Sequence, residues 1–186
     1  MLLEKGVAFM LAFLALFSSL SGCDSDSDSL PPLFSVAGMQ VRAETMLENI
    51  IQALEEQNHT MLKDLFSKEA LREIDNLDEQ ITMIMQFYQG TFQSFEGNES
   101  SSFGRRNNMD FLTLRGQYTV VTDKEEYRIF FIYHTVNEIY PERVGLELID
   151  ISTTETFERS REARRECREG IEWSREPGIH VYEWSE

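Results

Sequence analysis

Tyr118, Tyr133 and His134 are the side chains of this 186-residue sequence whose types and spacing best suit acid–base chemistry. An imidazole can exchange a proton near neutral pH, and a phenol can donate a hydrogen bond to an oxyanion. The two tyrosines can share one face of a sheet, whereas strict alternation along a strand places His134 opposite Tyr133. His134 is thus either a catalytic base or a partly covered histidine on the outer sheet face. We take the three residues as a candidate pocket and assign no catalytic residue.

Cys23 offers a different chemistry, that of a thiol prepared for attachment of a lipid. It follows an apolar run over residues 6–17 and two small residues. The run has the length of the apolar core of an export signal, and it is too short to span a bilayer, which needs about 20 apolar residues. The ending Leu20-Ser21-Gly22-Cys23 resembles the lipobox of bacterial lipoproteins, in which the cysteine receives a diacylglyceryl group. An ordinary secretory signal followed by an unrelated cysteine is the alternative.

An anchor at Cys23 would determine where the protein works. Residues 1–22 would be removed as a signal peptide, which leaves the lipidated cysteine at the start of residues 23–36. This stretch is acidic and rich in serine, so it buries little surface and should form a disordered tether. Each buried CH₂ contributes about 0.8 kcal/mol, so the two or three acyl chains of a lipoprotein, palmitate for example, hold stably in a bilayer. We therefore expect a lipid-anchored protein on the extracytoplasmic face of the cell membrane.

Charge and cysteine content exclude several classes of function. The net charge of −16 at pH 7 argues against nucleic acid as a partner and against electrostatic docking on anionic lipids. With Cys23 committed to lipid, Cys167 is a single thiol, so neither a disulfide nor a cysteine-based zinc site can form. Asp75, Asp78 and Glu79 are close in sequence and could suggest a cation site, but calcium needs several oxygens held by a shaped loop. Helix capping explains these three acids without a metal ion. We predict no metal and no cofactor.

Hydrophobic periodicity predicts helices first and strands afterwards. Apolar residues three or four apart indicate four helices, over residues 37–57, 61–66, 68–74 and 77–89. Alternation then indicates a short strand over 91–97, a loop or flexible hairpin over 98–108, and long strands over 110–121, 127–137 and 144–153. The strand over 127–137 is almost wholly apolar, so we expect it to be central and covered on both faces.

The C-terminal part of the sequence combines a segment rich in Arg and Glu with an aromatic tail. Residues 158–169 place glutamates and arginines on neighbouring stripes of a helix, which favours a solvated, salt-bridged helix. Contact of its arginines with lipid headgroups or an acidic partner is the alternative. Residues 178–182 alternate and could add an edge strand. The tail, with Trp173 and Trp184, either closes the core or offers a binding surface, because tryptophan is favoured at interfaces.

Helices followed by a meander of strands form an α+β architecture, here a single domain over residues 37–186. N-terminal helices packed in a curved antiparallel sheet would make a cone. The phrases that carry a family resemblance are LFSKEAL (65–71), NLDEQI (76–81), FYQG (87–90), YTVVTD (118–123) and PGIH (177–180). They resemble domain of unknown function 5104, a family of bacterial lipoproteins. The resemblance implies the nuclear-transport-factor-2-like (cystatin-like) cone fold and an envelope location, and it implies no activity and no catalytic residues.

Three functions are compatible with these features. The first is a lipid-anchored extracytoplasmic binding module for an unknown small molecule or envelope protein, without catalytic activity. The second is a small enzyme of the isomerase or dehydratase kind, which needs an acid or base inside a real cavity of the cone. The third is an envelope protein that acts only through protein contacts. The apolar strand over 129–132 would also permit a homodimer through the open sheet face.

Overall fold

A computed structural model of the protein describes residues 33–166 and 174–184. Within these residues the chain forms five α-helices and five strands. The predictions that concern Cys23, the signal peptide and the tether up to residue 32 lie outside the described residues, as do those for Cys167 and Trp173. No helix in the described part is both long enough and apolar enough to cross a membrane.

The four N-terminal helices follow the predicted order. They are α1 (Val36–Glu55), α2 (His59–Asp64), α3 (Ala70–Glu73) and α4 (Leu77–Phe87). Ser35 caps α1 because its hydroxyl accepts a hydrogen bond from the amide of Gly38 at 3.0 Å. Asn58 caps α2 in the same way, through the amide of Met61. Such caps satisfy amides that have no partner inside the helix and so fix where each helix begins.

The strands form one sheet in sequence order: β1 (Phe92–Arg106), β2 (Met109–Thr122), β3 (Glu126–Asn137), β4 (Gly145–Thr153) and β5 (Gly178–Tyr182). The first four pair antiparallel, as predicted. The predicted edge strand is present as β5, but it pairs in parallel with β4. The chain first crosses over through α5 (Thr154–Arg165), and a crossover of this kind returns it in the same direction. The sheet is therefore mixed rather than antiparallel throughout.

Strand β1 is much longer than the sequence predicts. The prediction of a short strand over 91–97 is wrong in its length, because Phe92–Arg106 pairs with β2 along its length apart from a bulge at its start. Of the two alternatives predicted for residues 98–108, the structure has the hairpin and not the loop. The chain turns between the two strands at Asn107 and Asn108, with φ angles of 53° and 63°. Two residues with positive φ fit a type I′ turn, whose twist matches that of an antiparallel pair.

Glycines within the strands lie opposite aromatic rings. Gly97 pairs with Tyr118, and Gly116 pairs with Phe131. A Cβ on Gly97 would lie 2.7 Å from the ring of Tyr118, and one on Gly116 would lie 2.3 Å from the ring of Phe131. The rings therefore occupy the space that a side chain would need. This packing shields the glycine backbone and lets strands continue through residues that would otherwise weaken them.

The inner face of the sheet, which we define as the face packed on α1 and α4, carries the core. Leu47 and Ile50 of α1 and Ile81 and Ile84 of α4 are fully buried against it. The sheet contributes a continuous set of large buried side chains: Leu112, Leu114, Tyr118, Val120, Tyr127, Ile129 and Phe131. Burial of apolar area on this scale is the main driving force of folding.

The opposite, outer face is covered only in part by the described residues. Helix α5 packs there on β3 and β4. It begins at Thr154, earlier than the predicted residue 158, because the hydroxyl of Thr153 accepts a hydrogen bond from the amide of Thr156 and caps it. Phe130 and Ile132 of β3 are half-buried on this face. The prediction that β3 is covered on both faces therefore holds fully for the inner face and partly for the outer one.

The two edges of the sheet differ in length and cover. The β5 edge is five residues long, and the amide of Ile179 donates to the side chain of Gln80 at 2.9 Å. Beyond β5, the edge of β4 is closed by the segment around Phe66, since the amide of Leu146 donates to the carbonyl of Leu65 at 2.8 Å. Strand β1, at the other edge, is 15 residues long and pairs only with β2 among the described residues.

Candidate functional site

The sheet separates the three residues of the candidate pocket. Tyr118 belongs to the buried core of the inner face, and Tyr133 packs against that core. His134 follows Tyr133 along β3 and pairs with Thr113, so it projects from the outer face. The imidazole and the two phenols therefore lie on opposite sides of the sheet. The tyrosines share the inner face but lie four residues apart along the paired strands, because Tyr118 pairs with Ile129 and Tyr133 pairs with Leu114.

Tyr118 fills the inner face instead of lining an opening. Its ring stacks on Phe131 with 6.1 Å between centroids and meets Phe95 edge-on at 5.6 Å. The residue is 1% exposed, and its hydroxyl finds no hydrogen-bond partner among the described residues. Burial raises the pKa of this phenol, and the negative charges of Glu99 and Glu44 raise it further. The phenol therefore stays protonated at neutral pH.

Tyr133 is half-buried, whereas Tyr118 is fully buried. Burial raises the pKa of its phenol, while the positive charge of Arg42 acts in the opposite direction. Four surface cavities of the described residues have volumes of about 440, 330, 110 and 530 Å³. Neither Tyr118 nor Tyr133 lines any of the four.

His134 is held on the outer face by a partner at each ring nitrogen. Its Nε2 lies 2.6 Å from a carboxylate oxygen of Glu147, and its Nδ1 lies 2.9 Å from the hydroxyl of Thr113. Because a carboxylate can only accept, Nε2 carries a proton, and Nδ1 of the neutral ring accepts from the Thr113 hydroxyl. The hydrogen bond from His134 lowers the pKa of Glu147, and burial opposes that effect. In this arrangement the neutral imidazole has no unoccupied lone pair with which to take a proton from a substrate.

A polar cavity of about 110 Å³ opens beside His134. Glu69 and Arg143 line it and form a two-pronged salt bridge, with contacts of 2.5 and 3.0 Å. Glu147 lines it as well, so each acid of the two pairs already has its own basic partner. Sites for organic ligands usually have several hundred Å³ and an apolar lining. This cavity has room for a few waters or a small polar group, and both of its hydrogen-bonded acids, Glu69 and Glu147, already have a side-chain partner.

Asp150 is a buried acid that the sequence analysis missed. It lies in β4 on the outer face, opposite Phe130, and is 3% exposed. Burial raises the pKa of its carboxyl to about 7, and a hydrogen bond donated by the Tyr182 hydroxyl at 3.3 Å acts against the rise. A group that titrates near neutral pH is a candidate for function. The available signal was an acid inside the apolar strand sequence LIDI, where strand burial predicts a desolvated carboxyl.

The acids predicted to cap α4 take part in local structure in another way, because Asn76 at the start of α4 makes no side-chain cap hydrogen bond. Asp78 and Glu79 lie in the first turn of α4, where negative charge is favourable beside the amides of a helix N-terminus. Asp78 also forms a salt bridge with Lys63 at 2.7 Å. Across residues 33–166 and 174–184, no three side chains of His, Cys, Asp or Glu are grouped so that they could hold a metal ion.

The fold and the site define an α+β domain with a five-stranded sheet, a packed inner face and charged groups on the outer face. In a comparison with known families, the model of a domain of unknown function, DUF5104, matches residues 49–155. The match covers more than half of the chain, so the chain belongs to this family. It includes His134, Glu147 and Asp150 and ends before β5. Comparison with curated proteins gives no significant match.

Proposed function

We propose that this protein is a lipid-anchored, extracytoplasmic binding module of the cell envelope that recognises a partner protein without chemical turnover. The lipobox-like sequence at Cys23 and the apolar run before it support the anchor. The net charge of −16 argues against nucleic acid or another polyanion as the partner.

We also propose that the domain has the nuclear-transport-factor-2-like cone fold. Helices before strands, α1 and α4 on one face, and four antiparallel strands in sequence order support this assignment. In such a cone, the inner face would surround α1. A ligand site would then lie on the inner face, at the position of Tyr118 and Tyr133.

The observation that carries the proposed mode of binding is the filled inner face. Tyr118 occupies the space between Phe131, Phe95 and the backbone of Gly97. Protein interiors packed in this way leave no room for a ligand without displacement of side chains. Recognition by the outside of the domain is therefore the better supported alternative, and a protein is the kind of partner that a surface can bind.

The long β1 edge is the surface we propose for recognition. Most of its residues are exposed, and its outward backbone groups are those that an added strand would pair with. A polar cavity of about 530 Å³ lies beside it on the outer face, lined in part by Glu96, Asn98, Gln117 and Arg128. A strand from a partner would find backbone hydrogen bonds along the edge and side-chain contacts in this cavity.

One observation favours a small molecule bound on the inner face, either by a binding protein or by a cone-pocket enzyme. The hydroxyl of Tyr118 is buried without a partner among the described residues, and an unpaired buried hydroxyl costs about 1–3 kcal/mol. A ligand or a water molecule that reached it would remove this cost. Against the predicted acid–base pair, His134 lies on the other face of the sheet from Tyr118, so the two side chains cannot act on one substrate there.

Site-specific photocrosslinking in the producing cells tests the proposal. A photoreactive residue replaces Ser100, exposed in the middle of β1, and in a matched variant it replaces Thr82, exposed on α4. The proposal predicts a defined protein adduct from position 100 and none from position 82. Equal yields of adduct from the two positions would contradict recognition by the β1 edge, and so would the absence of any adduct from both.

The lipid anchor is tested separately in the same cells. Cys23→Ser should move the protein from the membrane to the soluble fraction, and unchanged fractionation would contradict the anchor.

A further inference from the structure

Exposed apolar side chains concentrate at one end of the described domain. Eight large apolar side chains are exposed in the described residues, and five of them belong to the start of α1, the β1–β2 hairpin and the β3–β4 connection. These five are Phe34, Val36, Phe103, Tyr140 and Val144. We call this set the apolar end. Scattered apolar residues on a surface are ordinary, but a cluster of them marks a contact.

The topology places these segments together. The β1–β2 turn and the β3–β4 connection lie at the same end of an antiparallel sheet, and the amide of Glu138 donates to the carbonyl of Asp110 across them at 3.0 Å. The start of α1 joins them because the rings of Phe34 and Phe103 lie 4.7 Å apart. These rings remain 43% and 56% exposed despite that contact, and Val36 is 72% exposed.

The opposite end of the sheet, at the turn between β2 and β3, differs from the apolar end because its polar groups are paired. There the hydroxyl of Thr122 donates to the carbonyl of Gln89 at 2.9 Å and accepts from the amide of Glu125 at 2.9 Å. Asp123 accepts from the amide of Thr91 at 2.6 Å. Polar groups in that turn are thus paired with one another, and none of the eight exposed apolar side chains belongs to it.

The local charge of the apolar end differs from that of the whole chain. The β1–β2 hairpin around its turn and the β3–β4 connection carry Arg105, Arg106 and Arg143 against Asp110, Glu138 and Glu142. Arg105 and Asp110 are directly paired through two hydrogen bonds, of 2.5 and 2.8 Å. These two segments are therefore balanced in charge, whereas the tether that leads to them carries Asp24, Asp26 and Asp28 and the chain as a whole carries −16. An anionic surface repels this end less than it repels the rest of the chain.

We infer that the apolar end is a second membrane contact, which seats the domain on the bilayer that holds its lipid. The inference rests on the proposed anchor at Cys23. Residues 23–33 connect the lipid to the apolar end itself, and at ~3.3–3.6 Å per residue they keep Phe34 within about 40 Å of the anchored cysteine. Aromatic and apolar side chains favour the interfacial region of a bilayer, where tyrosine also keeps its hydroxyl in water. Seated in this way, the domain would hold the β1 edge fixed relative to the membrane surface.

Thiol accessibility on vesicles tests this contact. In a Cys167→Ser background, Val36→Cys places a thiol in the apolar end, and Gln93→Cys places a matched exposed thiol at the other end of β1. The lipidated protein is inserted into vesicles of phosphatidylethanolamine and phosphatidylglycerol, and labelling by a membrane-impermeant maleimide is timed. The reference is the same variant with Cys23→Ser, which stays in solution. We expect labelling of Val36→Cys to slow several-fold on vesicles, and labelling of Gln93→Cys to stay the same.

A second variant and a mass measurement keep the outcomes apart. Phe34→Ser with Phe103→Ser should restore fast labelling of Val36→Cys on vesicles while the lipid anchor stays intact. Equal labelling of both positions in lipidated, vesicle-bound protein would overturn the contact and leave the anchor standing. Slow labelling of Val36→Cys already in solution would overturn it in favour of a second copy or a protein on this patch. An intact mass without lipid would overturn the anchor and the contact together.

Discussion

On the inner face of the sheet, aromatic rings fill the space between the strands and α1, whereas the outer face holds paired charges and a buried acid. Tyr118 and Phe131 stack on the first face, while His134, Glu147 and Asp150 belong to the second. The inner face thus supplies stability, and the buried acid Asp150, whose pKa burial raises to about 7, lies on the outer one. A cone fold would hold a ligand on the inner face of its sheet. In this chain, side chains of the core pack on that face instead.

The largest effect should come from truncation of the inner face. Phe131→Ala removes a fully buried ring that packs on Tyr118 and on the backbone of Gly116. Loss of such a ring costs about 3–5 kcal/mol in the free energy of unfolding. The matched change Phe130→Ala, next in the strand but half-buried on the outer face, should cost clearly less. Chemical denaturation of both variants measures the difference, and equal losses would show that the two faces are not distinct in packing.

A pH-dependent effect should come from the outer face. Because burial raises the pKa of Asp150 to about 7, its contribution to stability is fully present below the unfolded pKa, near 4, and is lost as the pH rises through 7. Asp150→Asn cannot ionise and so escapes this loss. The free energy of unfolding of the variant, measured relative to that of the natural chain, should therefore rise by roughly 2–4 kcal/mol between pH 4.5 and pH 8. Unfolding at both pH values measures this gain. Exposed Asp64→Asn is the control, and a parallel response of the two variants would contradict a buried acid at position 150.

The smallest effect should come from single hydroxyl groups on the inner face. The Tyr127 hydroxyl accepts from the amide of Gln89 at 2.7 Å and donates to the carbonyl of Phe87 at 3.2 Å, so Tyr127→Phe should cost about 1 kcal/mol or more. The Tyr118 hydroxyl is without a partner among the described residues, so Tyr118→Phe should be neutral or slightly stabilising. Thermal and chemical denaturation compare the two. A clear loss for Tyr118→Phe would reveal a partner for that hydroxyl, such as a bound molecule.

The order of elements could be predicted because it depends on local periodicity. The stripes of α1 and α4 and the alternation along β2, β3 and β4 are visible in the sequence and match the structure within a few residues. The face of His134 also follows from alternation alone. The length of β1 could not be found in this way, because its polar residues form a strand only through pairing with β2. The turn signal Asn107-Asn108 was nevertheless available.

The outer-face groups were harder to predict because they depend on register. Glu147 of β4 contacts His134 on the neighbouring strand β3. The β3–β4 pairing shifts by one residue at this position, between Ile132 and Tyr133. Such an irregularity is not encoded by periodicity, since one extra residue reverses which face a side chain points to. The parallel direction of β5 depends likewise on the α5 crossover. The buried state of Asp150, in contrast, could have been predicted from its apolar neighbours in β4.

Native mass spectrometry of the folded chain from residue 29 to residue 186, purified from a bacterial host, tests the central claim most directly. If the inner face is filled by its own side chains, the folded protein should show the mass of the polypeptide alone. A mass excess that disappears on denaturation would contradict the claim, because it would mean that a small molecule occupies the fold. The same excess in Tyr118→Phe at reduced occupancy would place that molecule beside the Tyr118 hydroxyl and favour a small-molecule site over recognition by the surface.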